Sequence, residues 1–237
     1  YANEPVAPRD RMMFGMLKAL GISPGQEFKP DARQARILTE AAKTGDLMAR
    51  TIAYEKRFEG ATVYPGKQWE YAVKFDLNQE DPEQTRVQFD ERASWFYEAI
   101  GMSAGMQGRI VGFGQVYLET SKDKDGNWLD GGKTYKMRVE PNPPVRQFWS
   151  ITLYDNLTRG PLITDQGAAD LSSRKPDLVT NADGSVDVYF GPERPAGATN
   201  WIKTTAGKGW FPYFRFYAAT EPYFDKSWQL NDIERMN

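Results

Sequence analysis

The 237-residue chain has no cysteine and no histidine. Without cysteine it can form no disulfide, thiolate metal site or sulfur nucleophile. Without histidine it offers by itself no Ser-His-Asp triad, two-histidine metal site or imidazole base. Chemistry carried by these residues alone must rest on carboxylates, Lys, Tyr, Arg or a hard cation held by oxygen. A surplus of one charge is also missing: 30 basic residues face 32 acidic ones, for a net charge of −2. That balance argues against nucleic acid or an anionic membrane as the main partner. Apolar residues make up 40% of the chain without an 18-residue apolar run, so no bilayer span is expected. No secretory leader is visible at Tyr1, where a polar segment with Pro5 and Pro8 begins. A first residue other than Met predicts a processed chain or a fragment of a longer one, whose remainder could supply a histidine.

What the chain does have is a strong strand signal at Gln147–Asp155 (QFWSITLYD). Phe148, Ser150, Thr152 and Tyr154 fall on one face, and Trp149, Ile151 and Leu153 on the other. The second face is the predicted core and the first is the one to search for a ligand. Pro143-Pro144 stops a helix before the strand and Asp155-Asn156 makes a turn after it. Further strands are predicted at Gln115–Ser121, Thr134–Val139, Val186–Phe190, Asn200–Thr204 and Trp210–Ala218. Asp125-Gly126 predicts a hairpin turn, and Pro212 suggests an edge or the beginning of a strand. Six or more strands at close spacing, parted by Gly, Pro and Asn turns, point to a sandwich or jelly roll.

The first half reads as helical. Met13, Met16, Leu17 and Leu20 form one apolar stripe on a helix over Arg9–Leu20. Asp31 caps a longer helix, about Ala32–Arg57, with an inner stripe of Ala35, Leu38, Ala41, Gly45, Met48 and Ile52. A third runs over Asp90–Ile100 with Asp90 as its cap and Ala93, Phe96, Tyr97 and Ile100 inward. Core packing is the expectation for all three stripes. A strand is possible at Trp69–Phe75, and the glycines between Gly101 and Gly114 read as a crossing into the β half. The expected organisation is therefore a mainly helical segment, residues 1–105, and a β-sandwich domain, residues 106–237. No metal or cofactor is predicted. Asp123, Asp125 and Asn127 imitate the start of an EF-hand, but Trp128 and Thr134 stand where Gly and Glu are needed.

The segments PPVRQFWSITLYD, ADLSSRKPDL, NADGSVDVYFGP and NWIKTTAGKGWFPYFRFYAATEPYFDKSW resemble the bacterial domain-of-unknown-function family 1214. This domain follows family 1254 in longer proteins, to whose C-terminal portion PRDRMMFGMLK and DERASWFYEA are also similar. The resemblance implies an α+β fold: N-terminal helices packed beside a C-terminal antiparallel β-sandwich of jelly-roll type. It also implies a preceding N-terminal β domain in a longer parent, and export to the periplasm or cell surface. The family carries no assigned activity, so the catalytic residues stay unknown.

Three functions fit the residues. The first is a ligand-binding module for a carbohydrate or other small polar or aromatic molecule. Its candidate residues are Tyr154, Trp201, Tyr213, Arg215 and Tyr217, with Arg138, Arg174 and Asp170 as a possible anion site. Arg215 stands out, because an arginine inside an aromatic strand needs a partner if buried. The second is a carboxylate-driven glycan hydrolase, for which Glu91, Glu98, Asp155 and Asp170 lie nearest to predicted elements. The third is a structural or homo-oligomeric assembly protein, with an aromatic such as Trp228 as an interface anchor.

Overall fold

A computed structural model describes residues 5–83, 85–99, 106 and 109–236. Among the described residues, helices α1 (Arg11–Ala19), α2 (Ala32–Tyr54), α3 (Phe89–Glu98) and α4 (Glu221–Phe224) accompany nine strands. The strands are β1 (Glu70–Tyr71), β2 (Gln115–Glu119), β3 (Tyr135–Val139), β4 (Val145–Asp155), β5 (Asp170–Ser172), β6 (Val186–Gly191), β7 (Trp201–Lys203), β8 (Trp210–Ala219) and β9 (Glu234–Arg235). They form a five-stranded antiparallel sheet, β1-β2-β8-β4-β5, and a four-stranded sheet, β7-β6-β3-β9, in which β6 and β7 run parallel. Helices beside two packed sheets match the coarse expectation. The jelly-roll type of connection remains an expectation.

Alternation builds the sandwich core. Trp149, Ile151 and Leu153 of β4 are buried between the sheets, as are Phe214 and Phe216 of β8 and Leu118 of β2. Tyr135, Met137 and Val139 of β3 and Val186, Val188 and Phe190 of β6 meet them from the small sheet. Trp149 stacks on Phe214 at 5.3 Å, and Trp210 bridges to Phe190 at 5.2 Å and to Tyr135 at 5.8 Å. These rings supply a large share of the apolar area that drives the sheets together.

The outer face of the large sheet is covered in part by the helices. Tyr54 at the end of α2 and Trp95 of α3 pack with Tyr117, Phe211 and Tyr213 in a second apolar cluster. Asp31 caps α2 by accepting the Gln34 amide at 2.7 Å. Among the described residues of α2 only Ala53 and Tyr54 are buried, and α1 buries none. The stripes expected to be core therefore stay open: Met13, Met16 and Leu20 of α1 and Met48 of α2 are exposed. Only the C-terminal turn of α2 reaches the sheet.

Other expectations are corrected too. Helix α3 begins at Phe89, with Gln88 rather than Asp90 at its cap position; the Gln88 side chain is bound instead to Asp76. Its buried residues are Glu91, Ser94, Trp95 and Glu98, while Phe96 is exposed, because the face turned to the sheet carries polar partners. Ile100, Gly101, Gly105 and Gly108 lie outside the described residues. The strand expected over Trp69–Phe75 shrinks to Glu70–Tyr71. The hairpin turn expected at Asp125-Gly126 forms, closed by an antiparallel bridge from Lys122 to Trp128 and by Asp123, which accepts the Asp125 and Asn127 amides, while β2 and β3 themselves enter different sheets. β8 is central rather than an edge, and Pro212, its third residue, stands at the beginning of the strand, the other alternative that the sequence offered. Its Pro212 lies beyond the end of the β2 pairing and faces Leu153, so no ladder bond to β2 is lost there. Among the described residues, no helix is long and apolar enough to cross a membrane.

Candidate site on the outer face of the large sheet

Register arranges the outer face in rows. Gln115, Tyr217 and Phe148 face one another across β2, β8 and β4; the next row is Tyr117, Arg215 and Ser150; the next is Glu119, Tyr213 and Thr152, continued by Asp170 on β5. Phe211 and Tyr154 follow. Because side chains alternate along a strand, every member of these rows points away from the sandwich core.

Arg215 is the centre of this surface and is partly buried. Its Nη1 donates to Thr152 Oγ1 at 2.8 Å and its Nη2 to the Tyr154 hydroxyl at 2.6 Å. The Tyr117, Tyr213 and Tyr154 rings stand 5.4, 5.5 and 5.7 Å from its guanidinium carbon. These rings provide the negative π-faces that attract a cation. Burial pushes the Tyr117 and Tyr213 phenols upward, so neither supplies a negative charge. Above Arg215, Phe148 and Tyr217 stack at 3.9 Å, with Arg174 over the Phe148 ring at 4.1 Å. Tyr217 lines a groove of about 360 Å³ with Gly112, Phe113, Gln115 and Gln147. At the other end, Pro161 is bridged to Tyr154 beside a cleft of about 650 Å³ lined by Ala49, Tyr97, Arg159 and Gly160.

Under the helices lies a buried charge cluster. Lys56, just beyond α2, contacts Glu119, meets Glu98 at 2.8 Å and Glu70 at 3.7 Å, and donates to the Ala53 carbonyl at 2.6 Å. Glu98 also accepts from the Tyr213 hydroxyl at 2.6 Å and from Ser94 at 3.4 Å. Three carboxyls thus share one ammonium. Burial drives the Glu98 carboxyl upward, and Lys56, Tyr213 and Ser94 oppose it. Glu70 is raised for the same first reason, with Lys56 lowering it and Glu98 adding to the rise. Among the described residues, no group of acids is arranged to hold a metal ion.

The structure brings Tyr154, Tyr213, Arg215 and Tyr217 onto one surface, with Arg174 above it and Asp170 exposed on the neighbouring β5. Arg138 and Trp201 do not join them. Both face outward from the small sheet, where Arg138 pairs with Asp183, Asp187 and Glu140, and the Trp201 indole donates to the Gly191 carbonyl. Sequence reasoning missed Tyr117, Lys56, Glu70 and Glu119. Glu119 carried a readable signal, a charge at an outward position in an apolar strand. Lys56 did not, since its partner Glu98 is 42 residues away.

Residues 114–221 match the family described as a protein of unknown function, DUF1214. That region holds the whole Arg215 surface, while Lys56, Glu70 and Glu98 lie before it. No curated protein matches the chain. The fold resembles the crystal structure of the VPA0106 protein from Vibrio parahaemolyticus, with a TM-score of 0.50 and 19% identity over 97% of this chain. The chain spans about half of that structure, 51% of its length. A weaker likeness, TM-score 0.36 and 12% identity, joins 88% of this chain to 44% of a putative uncharacterized protein from Burkholderia cenocepacia. At these identities the first likeness speaks for the fold alone.

Proposed function

We propose that the chain is an exported ligand-binding module whose site is the tyrosine-rich face around Arg215, and that it takes a small polar or aromatic molecule, carbohydrates included. One observation carries the reading: Arg215, partly buried in a central strand among three tyrosines, has no carboxylate paired with it among the described residues. By contrast Lys56, whose side chain is fully buried, has three acids. A cation kept out of water is ordinarily paired, and a surface of aromatic rings with a few convergent polar groups is how ligand sites are usually furnished.

Three of the four candidate carboxylates of a hydrolase are engaged with cations, and the fourth, Asp170, is exposed on β5 without a second free carboxylate among those four. Glu98 is enclosed with Lys56 and Tyr213, Glu91 pairs with Arg86, and Asp155 pairs with Lys208. This favours binding over hydrolysis.

A thermal-shift screen of sugars, small acids and aromatic alcohols tests the reading when run on the wild type, T152V, Y217A and W201A. A binder should raise the melting temperature of the wild type and of W201A, and lose that effect in T152V and Y217A. Loss in W201A alone would move the site to the other sheet. Export is tested by fractionating cells that express the protein from its natural gene; recovery only from the cytoplasm would remove that part of the reading.

A further inference from the structure

The same surface specifies the charge of its occupant, and this step rests on the binding reading above. We propose that the Arg215 site takes a small molecule through a carboxylate, which completes the guanidinium's missing ion pair. Of its five N–H groups, the Thr152, Tyr154 and Tyr117 hydroxyls engage three, so two remain for an oxyanion, the number a bidentate carboxylate takes. Glu119, in the neighbouring row of the register, contacts Lys56, and Glu98 of α3 binds Lys56 and Tyr213. Asp170 is two strands from β8 and exposed, and among the described residues no ion pair joins it to Arg215 or Arg174.

Two further cations lie along this face. Arg174 lies over Phe148 and Arg159 over Tyr97, and neither has an acid partner among the described residues. A neutral sugar would leave the Arg215 guanidinium without an ion pair. A carboxylate would gain charge-assisted hydrogen bonds in a partly dry setting, where they are about twice as strong as neutral ones. Arginine suits the task because its fork matches a carboxylate, whereas lysine offers a point charge. Tyr117, Tyr154 and Tyr213 wall the fork and limit the anion to a compact one.

The test is titration calorimetry with benzoate, acetate, benzyl alcohol and methyl glucoside on the wild type, R215Q, R215K and R138Q. Benzoate or acetate should bind the wild type and R138Q alike. R215Q should weaken it by about tenfold or more, the worth of a hydrogen bond to a charged group. R215K keeps the charge and guards against a folding defect in R215Q; it should also bind more weakly, since it lacks the fork. Equal affinity for the anions in wild type and R215K would overturn the proposal. Binding of methyl glucoside or benzyl alcohol without either anion would overturn the carboxylate but leave the binding module standing. If none of the four binds, both readings fall.

Discussion

The Tyr213 hydroxyl donates to Glu98 across 2.6 Å, joining the central strand of the large sheet to the last turn of α3. Tyr213 is also one of the rings around Arg215, so one side chain borders both the open surface and the buried charge cluster. Replacing it with Phe leaves a buried carboxyl short of one donor. We expect Y213F to lower unfolding stability by about 1–3 kcal/mol, the usual cost of stranding a buried polar group. Urea denaturation followed by tryptophan fluorescence reads this, and an unchanged midpoint would show that the bond contributes nothing net.

The cluster also sets a pH dependence. The Glu98 and Glu70 carboxyls are raised in the folded chain, chiefly by burial. A raised acid binds its proton more tightly in the folded state than in the unfolded one. Its penalty is therefore absent below the ordinary carboxylate value, about 4.3, and grows as pH climbs from there toward the folded value. Asp155 works in the opposite sense. Although burial tends to raise it, Lys208 and the Leu157 and Thr158 amides hold it below its ordinary value, so its contribution is lost as pH falls through that lower value. Stability should rise as pH drops from the raised carboxyl values toward about 4.3, and then fall in stronger acid as Asp155 takes up its proton. E98Q removes one ionisation and should flatten the upper part of the curve. An identical slope in E98Q would assign the dependence to other groups.

Lys56 makes a sharper case. Its removal leaves Glu119 and Glu98 buried with no cation and Glu70 partly so. Breaking a buried ion pair from one side typically costs about 3–5 kcal/mol, because the uncompensated charge stays behind. K56M should show a loss of that order near neutral pH and a smaller one near pH 5, where the acids take up protons. Equal losses at both values would mean that packing, not charge, is what Lys56 supplies.

The strands were legible because their chemistry is local. Trp149, Ile151 and Leu153 alternate with Ser150, Thr152 and Tyr154, and burial follows that alternation. The same two-residue period placed Tyr213, Arg215 and Tyr217 on one face of β8. The helices misled because an apolar stripe says that a face wants cover, not that the fold supplies it. Met13, Met16 and Leu20 make a regular stripe, yet α1 buries none of its described residues. On α3 the buried face includes Glu91, Ser94 and Glu98, which a hydrophobic period assigns to solvent. Their partners, Lys56, Arg86 and Tyr213, come from other elements, and 115 residues part Glu98 from Tyr213. Arg138 could not be told from Arg215 by sequence, since both occupy outward strand positions. Only the sheet assignment separates one with Asp183 beside it from one without an acid.

Gly131 tests how the loops at the end of the sandwich are held. Its amide donates to the Lys208 carbonyl at 2.8 Å, and its own carbonyl accepts from the Thr204 hydroxyl at 2.7 Å. A methyl group here would overlap the Thr205 carbonyl oxygen, which is backbone and cannot swing aside as a flexible side chain would. Gly126 provides the comparison: at φ +81° its added methyl group meets nothing within 4 Å. G126A should therefore cost only the left-handed backbone penalty, about 1–2 kcal/mol. G131A adds an overlap that must push the loops around 131 and 205 apart, with overpacking of this kind costing about 1–3 kcal/mol or more. It also weakens the two hydrogen bonds that span the gap, so the larger loss should fall on G131A. Thermal unfolding of the two variants side by side measures the difference, and hydrogen exchange at the Gly131 amide should speed up only in G131A. If G126A proved the more damaging, the close approach of these loops could not be what fixes this end of the sandwich.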